Sequence, residues 1–167
     1  VVTQSVFGFI RVSVMFAAIA AATASQVSGE RMLTIEPGDD TMGTRTWRNL
    51  VRLLTEVRNA SGVRRLYVVD TQGRVLADVD GGLPVGTEVP ELARDRLELS
   101  RVFSGERAAS QVLFQGSDGR FYKTGYAPVR REGQVVGAVA VEGSAAFFGP
   151  LASLSRSFAA ASGVALG

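Results

Sequence analysis

Hydrophobic and polar positions divide this chain into two unequal stretches. Between Val1 and Gly29 the only charged residue is Arg11, and every other charge falls between Glu30 and Arg156. Residues 12–24 are apolar almost all round. On a helical wheel Val6, Ile10, Ala17 and Ala24 share one face, and Phe9, Val12, Phe16 and Ile19 share another. A helix apolar on every side is buried in protein, in a partner or in lipid. Three readings follow. The segment is the end of a transmembrane helix running into the domain's first helix, since residues 5–24 reach the roughly 20 apolar positions of a span if Arg11 is tolerated. Or it is a signal peptide, with Arg11 in its n-region and Ala22-Thr23-Ala24 as an A-x-A-like cleavage site. Or it is a fully buried core or dimer helix of a soluble protein.

Beyond the leader the pattern changes to short periodic segments. Glu36-Pro37-Gly38-Asp39-Asp40 breaks the leader helix. Thr44 or Thr46 caps a second helix to about Asn59, with Leu50, Leu53, Leu54 and Val57 as its apolar stripe and Ser61-Gly62 as its end. Residues 66–69 and 74–79 read as two strands of a hairpin around a turn at 70–73. A loop over 81–86 precedes a third helix, 91–103, started by Pro90. Three further strands follow at 108–114, 121–129 and 134–141, joined by Gly116-Ser117-Asp118-Gly119 and Arg131-Glu132-Gly133. A final helix over 145–160 is interrupted at Gly149-Pro150. This order predicts an α+β fold in which helices pack on one five-stranded antiparallel sheet.

Composition removes most catalytic chemistry. The 167 residues contain no Cys and no His. Thiolate nucleophiles, Ser-His-Asp triads and His- or Cys-ligated metals are therefore excluded. A net charge of +2 points to no nucleic-acid partner. Asp39-Asp40 lacks the alternating oxygen pattern of a calcium loop and reads as a solvated turn. Residues 116–119 lack the Lys and the following helix of a phosphate loop. No cofactor, metal or catalytic residue is assigned. An enzyme using Asp78, Asp80 and Tyr126 as acid and base would need raised carboxylate pKa values, which a sequence does not reveal.

Three segments, in this order and spacing, carry a resemblance. Leu66-Tyr67-Val68-Val69-Asp70 with Gly73-Arg74-Val75-Leu76-Ala77 forms the first. Asp118-Gly119-Arg120-Phe121-Tyr122-Lys123-Thr124-Gly125-Tyr126-Ala127-Pro128-Val129 forms the second. Gly133-Gln134-Val135-Val136-Gly137-Ala138-Val139-Ala140-Val141-Glu142 forms the third. Together they resemble the Cache family, the PAS-like extracytoplasmic sensor domains of bacterial receptors, over roughly 33–154. The resemblance implies a PAS-like five-stranded antiparallel sheet with a long N-terminal helix on it and further helices on the ligand side. It also implies a periplasmic domain of an inner-membrane histidine kinase, chemoreceptor or cyclase receptor, held by flanking spans. Such receptors are homodimers through the first helix, and their ligands are small metabolites. Residues 1–32 would then be the apolar membrane-proximal helix, 33–154 the sensor domain, and 155–167 the exit towards a second span.

Strand parity selects candidate ligand residues. Tyr122, Thr124 and Tyr126 share one face, and Phe121, Lys123, Gly125 and Ala127 the other. In the citrate-type branch that the chain resembles, positions two and four before the strand's Pro bind ligand, which here are Tyr126 and Thr124. Two phenols and a hydroxyl suit a small polar ligand. The bland alternative is a pair of core tyrosines. The facing strand adds Gln111, Leu113 and Gln115, or Ser110, Val112 and Phe114. A three-residue loop containing Gly119 selects the second set. On the third helix Arg94, Arg96 and Arg101 are candidate carboxylate anchors, with Arg96 favoured. Lys123 faces away and reads as a rim lysine. The citrate-type cations are absent from the 76–86 region, where Asp78 and Asp80 stand instead, either meeting a ligand amine or as solvated turn residues. A monocarboxylate, an amino acid or a neutral molecule therefore fits better than a di- or tricarboxylate, the first two being favoured. The alternative from another class is a cytoplasmic PAS- or roadblock-like dimerisation scaffold with no small-molecule ligand.

Overall fold

The computed structural model describes residues 2–38 and 40–145, and side chains from Arg11 onward. Helix α1 (Val2–Ala24) ends before the break anticipated at Pro37. The hydroxyls of Thr23 and Ser25 turn back onto the carbonyls of Ile19 and Ala22, at 2.8 and 2.6 Å. Ser28 then caps a separate turn, α2 (Gly29–Met32), by accepting from the Arg31 N–H. Gly29 is required there, because a Cβ would collide with the Arg130 carbonyl. Helix α3 (Arg45–Ser61) has its expected signals: Thr44 accepts from the Trp47 N–H, and Gly62 ends the helix at φ 70°.

One antiparallel sheet holds β1 (Arg65–Asp70), β2 (Val75–Val79), β3 (Ala108–Ala109), β4 (Phe114–Gln115), β5 (Phe121–Arg131) and β6 (Gln134–Ser144). Their spatial order is β2-β1-β6-β5-β3, with β4 also on β5. The five expected positions are there, but the strand anticipated at 108–114 is split. Ala108 lies opposite Tyr126 and Phe114 opposite Tyr122, so 111–112 bulge out of the ladder. The helix anticipated over 91–103 is broken as well. A 3₁₀ turn at Pro90–Ala93 is followed by α4 (Arg96–Phe103), because Asp95 turns inward at the join. The helix expected over 145–160 lies outside the described residues. Among the described residues no helix is long and apolar enough to cross a membrane.

The sheet has two unlike faces. Helices α1 and α3 cover one, over a core that includes Val12, Phe16, Leu54, Leu66, Val68, Ala127, Val139 and Val141. The α4 segment covers the other, over Tyr67, Val69, Leu99, Val102, Tyr126, Ala138 and Ala140. Thus α1 owes part of its all-round apolarity to the sheet. It sits close because two glycines leave room. A Cβ at Gly125 would overlap the Phe16–Ala17 backbone, and one at Gly143 would overlap the Phe16 ring. We expect Gly125→Ala to destabilise the domain by about 1–3 kcal/mol, as an overpacked core does, measured by urea unfolding. Unchanged stability would mean that α1 is not locked to the sheet.

Candidate functional site

The strand parity read from the sequence is realised. Tyr122, Thr124 and Tyr126 lie on the face away from α1, and Phe114 joins them across from Tyr122, with ring centroids 5.7 Å apart. The ladder adds two layers. Tyr126, Ala140 and Tyr67 form one row across β5, β6 and β1, and Thr124, Glu142 and Arg65 form the next. All six side chains are buried.

Arg65 is the centre of this face. Its Nε and Nη2 donate to the two carboxylate oxygens of Asp78, each at 2.8 Å. The Arg65 side chain is 8% exposed and that of Asp78 0%. Nη1 reaches Glu91 at 3.3 Å and lies 3.7 Å from Glu142. The guanidinium also stacks 4.5 Å over the Tyr67 ring. Burial works against its charge, but the Asp78 hydrogen bonds and charge outweigh it and raise the pKa further above the ordinary range. Arg64 stacks 4.0 Å over Tyr122 and lies 3.4 Å from Glu142.

Asp95 organises the other end. The Tyr126 hydroxyl donates to it at 2.5 Å and the Ser110 hydroxyl at 3.0 Å. Arg94 adds a 3.1 Å bond from Nε and stacks 4.4 Å over the Phe114 ring. Burial first, and then the neighbouring Tyr67 and Asp95, hold the Tyr126 phenol well above its usual range, so it stays a donor. The Tyr122 hydroxyl points to Asp118 in the adjoining turn, and that bond lowers the Asp118 pKa.

Among the described residues, several buried polar atoms here lack a hydrogen bond: Thr124 Oγ1 and Oε2 of both Glu91 and Glu142. Asp78, Glu91, Asp95 and Glu142 also outnumber Arg64, Arg65 and Arg94. The face is therefore acidic, with acceptors to spare. Ligand cations satisfy such a face better than ligand anions do.

Other candidates stand elsewhere. Val112 is in the bulge and 54% exposed. Arg96 is exposed and lines an outer cleft beside Thr71, Glu88 and Ser100, because Leu99 and Val102 take the inward face of α4. Neither meets the tyrosines. Arg101 pairs with Glu106 at the surface, and Asp80 pairs with Arg58 at 2.5 Å. Asp78 is no solvated turn residue, since Arg65 sequesters it. Sequence reasoning missed Arg65, Tyr67, Asp95 and Glu142. A signal existed for the first two: they alternate with Val69 on β1, at the parity that faces Tyr126.

No protein-family model matches the sequence, and no curated protein matches it. Solved structures do match the fold. The sensor domain of the histidine kinase DctB of V. cholerae superposes at TM-score 0.56 and 14% identity, over 87% of this chain and 51% of that one. The sensory domain of the Campylobacter jejuni chemoreceptor Tlp3 with isoleucine bound gives TM-score 0.61 at 9% identity, over 85% and 56%. The same domain in complex with L-valine gives 0.59 at 10%, over 85% and 56%. The fold is thus shared with these receptor sensor domains. The chain spans about half the length of these neighbours.

Two outcomes test the electrostatics of this face. Burial raises the Glu142 pKa above its ordinary 4.5, with Arg65 and Arg64 opposing. The folded state then binds the extra proton, so stability falls as pH rises from 4.5 through the raised value. Glu142→Gln should melt higher than wild type at pH 7, and the gap should close below pH 4.5, read by thermal melts across pH. Arg65→Met strands the Asp78 carboxylate and should cost about 3–5 kcal/mol. Pairing it with Asp78→Leu should recover most of that loss in urea unfolding.

Proposed function

We propose that this chain is the extracytoplasmic ligand-sensing domain of a membrane-bound bacterial receptor, and that its ligand is an amino acid. The fold neighbours are sensor domains of a histidine kinase and a chemoreceptor, and Tlp3 was solved with isoleucine and with L-valine. One observation in this chain carries the ligand class. Among the described residues, Thr124 Oγ1 and Oε2 of both Glu91 and Glu142 are buried without hydrogen bonds on the face that holds Tyr122 and Tyr126. An ammonium group brings three donors and a positive charge to such a set. The ammonium is what separates an amino acid from a bare monocarboxylate here, since for either carboxylate Arg65 is already engaged by Asp78 and Arg94 by Asp95.

In this reading 1–32 is the membrane-proximal helix and dimer seam, 33–154 the sensor, and 155–167 the exit to a second span. The domain is a binding module with no catalytic role. The Asp95 bonds to Tyr126 and Ser110 tie the covering segment to the sheet. A ligand that competes for those groups shifts the spacing between cover and sheet by its differential affinity for the two arrangements. Helix α1, locked to β5 and β6 through Gly125 and Gly143, transmits the shift.

A thermal-shift screen of the chain tests the proposal. L-isoleucine, L-valine and the other amino acids are compared with the matching carboxylates and amines. A ligand at 100 times its Kd adds about 2.7 kcal/mol, an upward shift of several degrees. The expected result is a hit among amino acids that is lost in Glu142→Gln and in Thr124→Val. A stable dimer with no response across the panel would instead favour the scaffold reading.

A further inference from the structure

The β3 edge of the sheet carries a second feature, beside α1. A cleft of about 570 Å³ opens between α1 and the free edge of β3. Val14 and Ala17 of α1 form one wall, and Ala108 and Ala109 the other. Lys123, the only lysine in the chain, sits at its floor. It lies opposite Gly143 on the ladder and is only 8% exposed.

Lys123 has no acidic partner among the described residues. Among the described residues its Nζ makes one hydrogen bond, to the Ser110 carbonyl at 3.3 Å. An ammonium has three donors, so two remain. Burial alone lowers its pKa, with no compensating charge. Arg101 and Arg107 line the same cleft, and no acidic residue lines it. Glu106 pairs with Arg101, Glu98 accepts from the Gln111 N–H, and Asp95 is taken by Tyr126, Ser110 and Arg94. A buried ammonium without a counter-charge is costly, and a positive cleft with apolar walls would accept an anion carrying a short apolar body.

We propose that this cleft is a second ligand site, separate from the tyrosine face, for a small monocarboxylate. The carboxylate meets Lys123 at the floor, Arg107 adds charge at the rim, and the alkyl body lies between Val14, Ala17 and Ala109. The two faces are chemically complementary: one has spare acceptors and excess acid, the other spare donors and excess base.

The single lysine makes the test specific. The 167-residue chain, labelled with ¹³C-lysine, gives one side-chain Cε resonance. Hexanoate is titrated in, with hexylamine as the cationic control. The expected result is saturable movement of the Lys123 signal with hexanoate alone, and a Lys123 pKa that rises on saturation. Lys123→Met should weaken hexanoate binding at least tenfold, read by calorimetry, without lowering the melting temperature. Tyr126→Phe should leave it unchanged. No saturable movement, equal binding by Lys123→Met, or loss of binding in Tyr126→Phe would each overturn the proposal.

Discussion

Arg65 holds a full charge beneath one face of the sheet, and that face is built around compensating it. Asp78 neutralises it with two parallel hydrogen bonds from the neighbouring strand. Glu91 reaches it from the covering segment, Glu142 flanks it on β6, and the Tyr67 ring lies beneath it. An ion pair this deep is weak evidence for stability, because desolvation cancels much of the attraction. What it does is fix position. The fork of the guanidinium allows one orientation of Asp78, so β1 and β2 are held in register at the end where the site lies. The same cation tethers the cover through Glu91.

The sheet therefore separates two kinds of work. Towards α1 it is apolar and close-packed, with Gly125 and Gly143 removed as obstacles to Phe16. Towards α4 it combines an apolar core with buried polar groups, some of them without a hydrogen bond among the described residues. Native interiors rarely leave several neighbouring acceptors unpaired, and such a group marks a place where something else completes the bonding. The covering segment is held to this face by the apolar packing of Leu92, Leu99 and Val102 and by polar ties, Asp95 with Tyr126 and Ser110 and Glu91 with Arg65.

Much of the architecture was legible in local patterns. Thr44 and Gly62 bracket α3 because capping chemistry is local. Tyr122, Thr124 and Tyr126 share a face because strand alternation is a backbone property. The breaks were not legible. Nothing local marks Asp95 as an inward residue, since its reason is a hydroxyl on Tyr126, 31 positions away. The bulge at 111–112 follows from that same contact, because Ser110 turns inward to Asp95 and the chain must regain register before Phe114 meets Tyr122. Val112 and Arg96 were placed by parity and by helix stripe in elements that these breaks re-aim.

The sequence by itself determined the order of elements, the apolar first helix, the parity of β5 and the absence of thiol and imidazole chemistry. These depend on propensity, periodicity and composition, which act over a few residues. Tertiary structure decided which charges are buried. Arg65 looked like one of many arginines until β2 and β6 brought Asp78 and Glu142 beside it, and Lys123 looked like a rim lysine until α1 closed over it. Charge compensation depends on distances between strands, and those are set only when the sheet assembles.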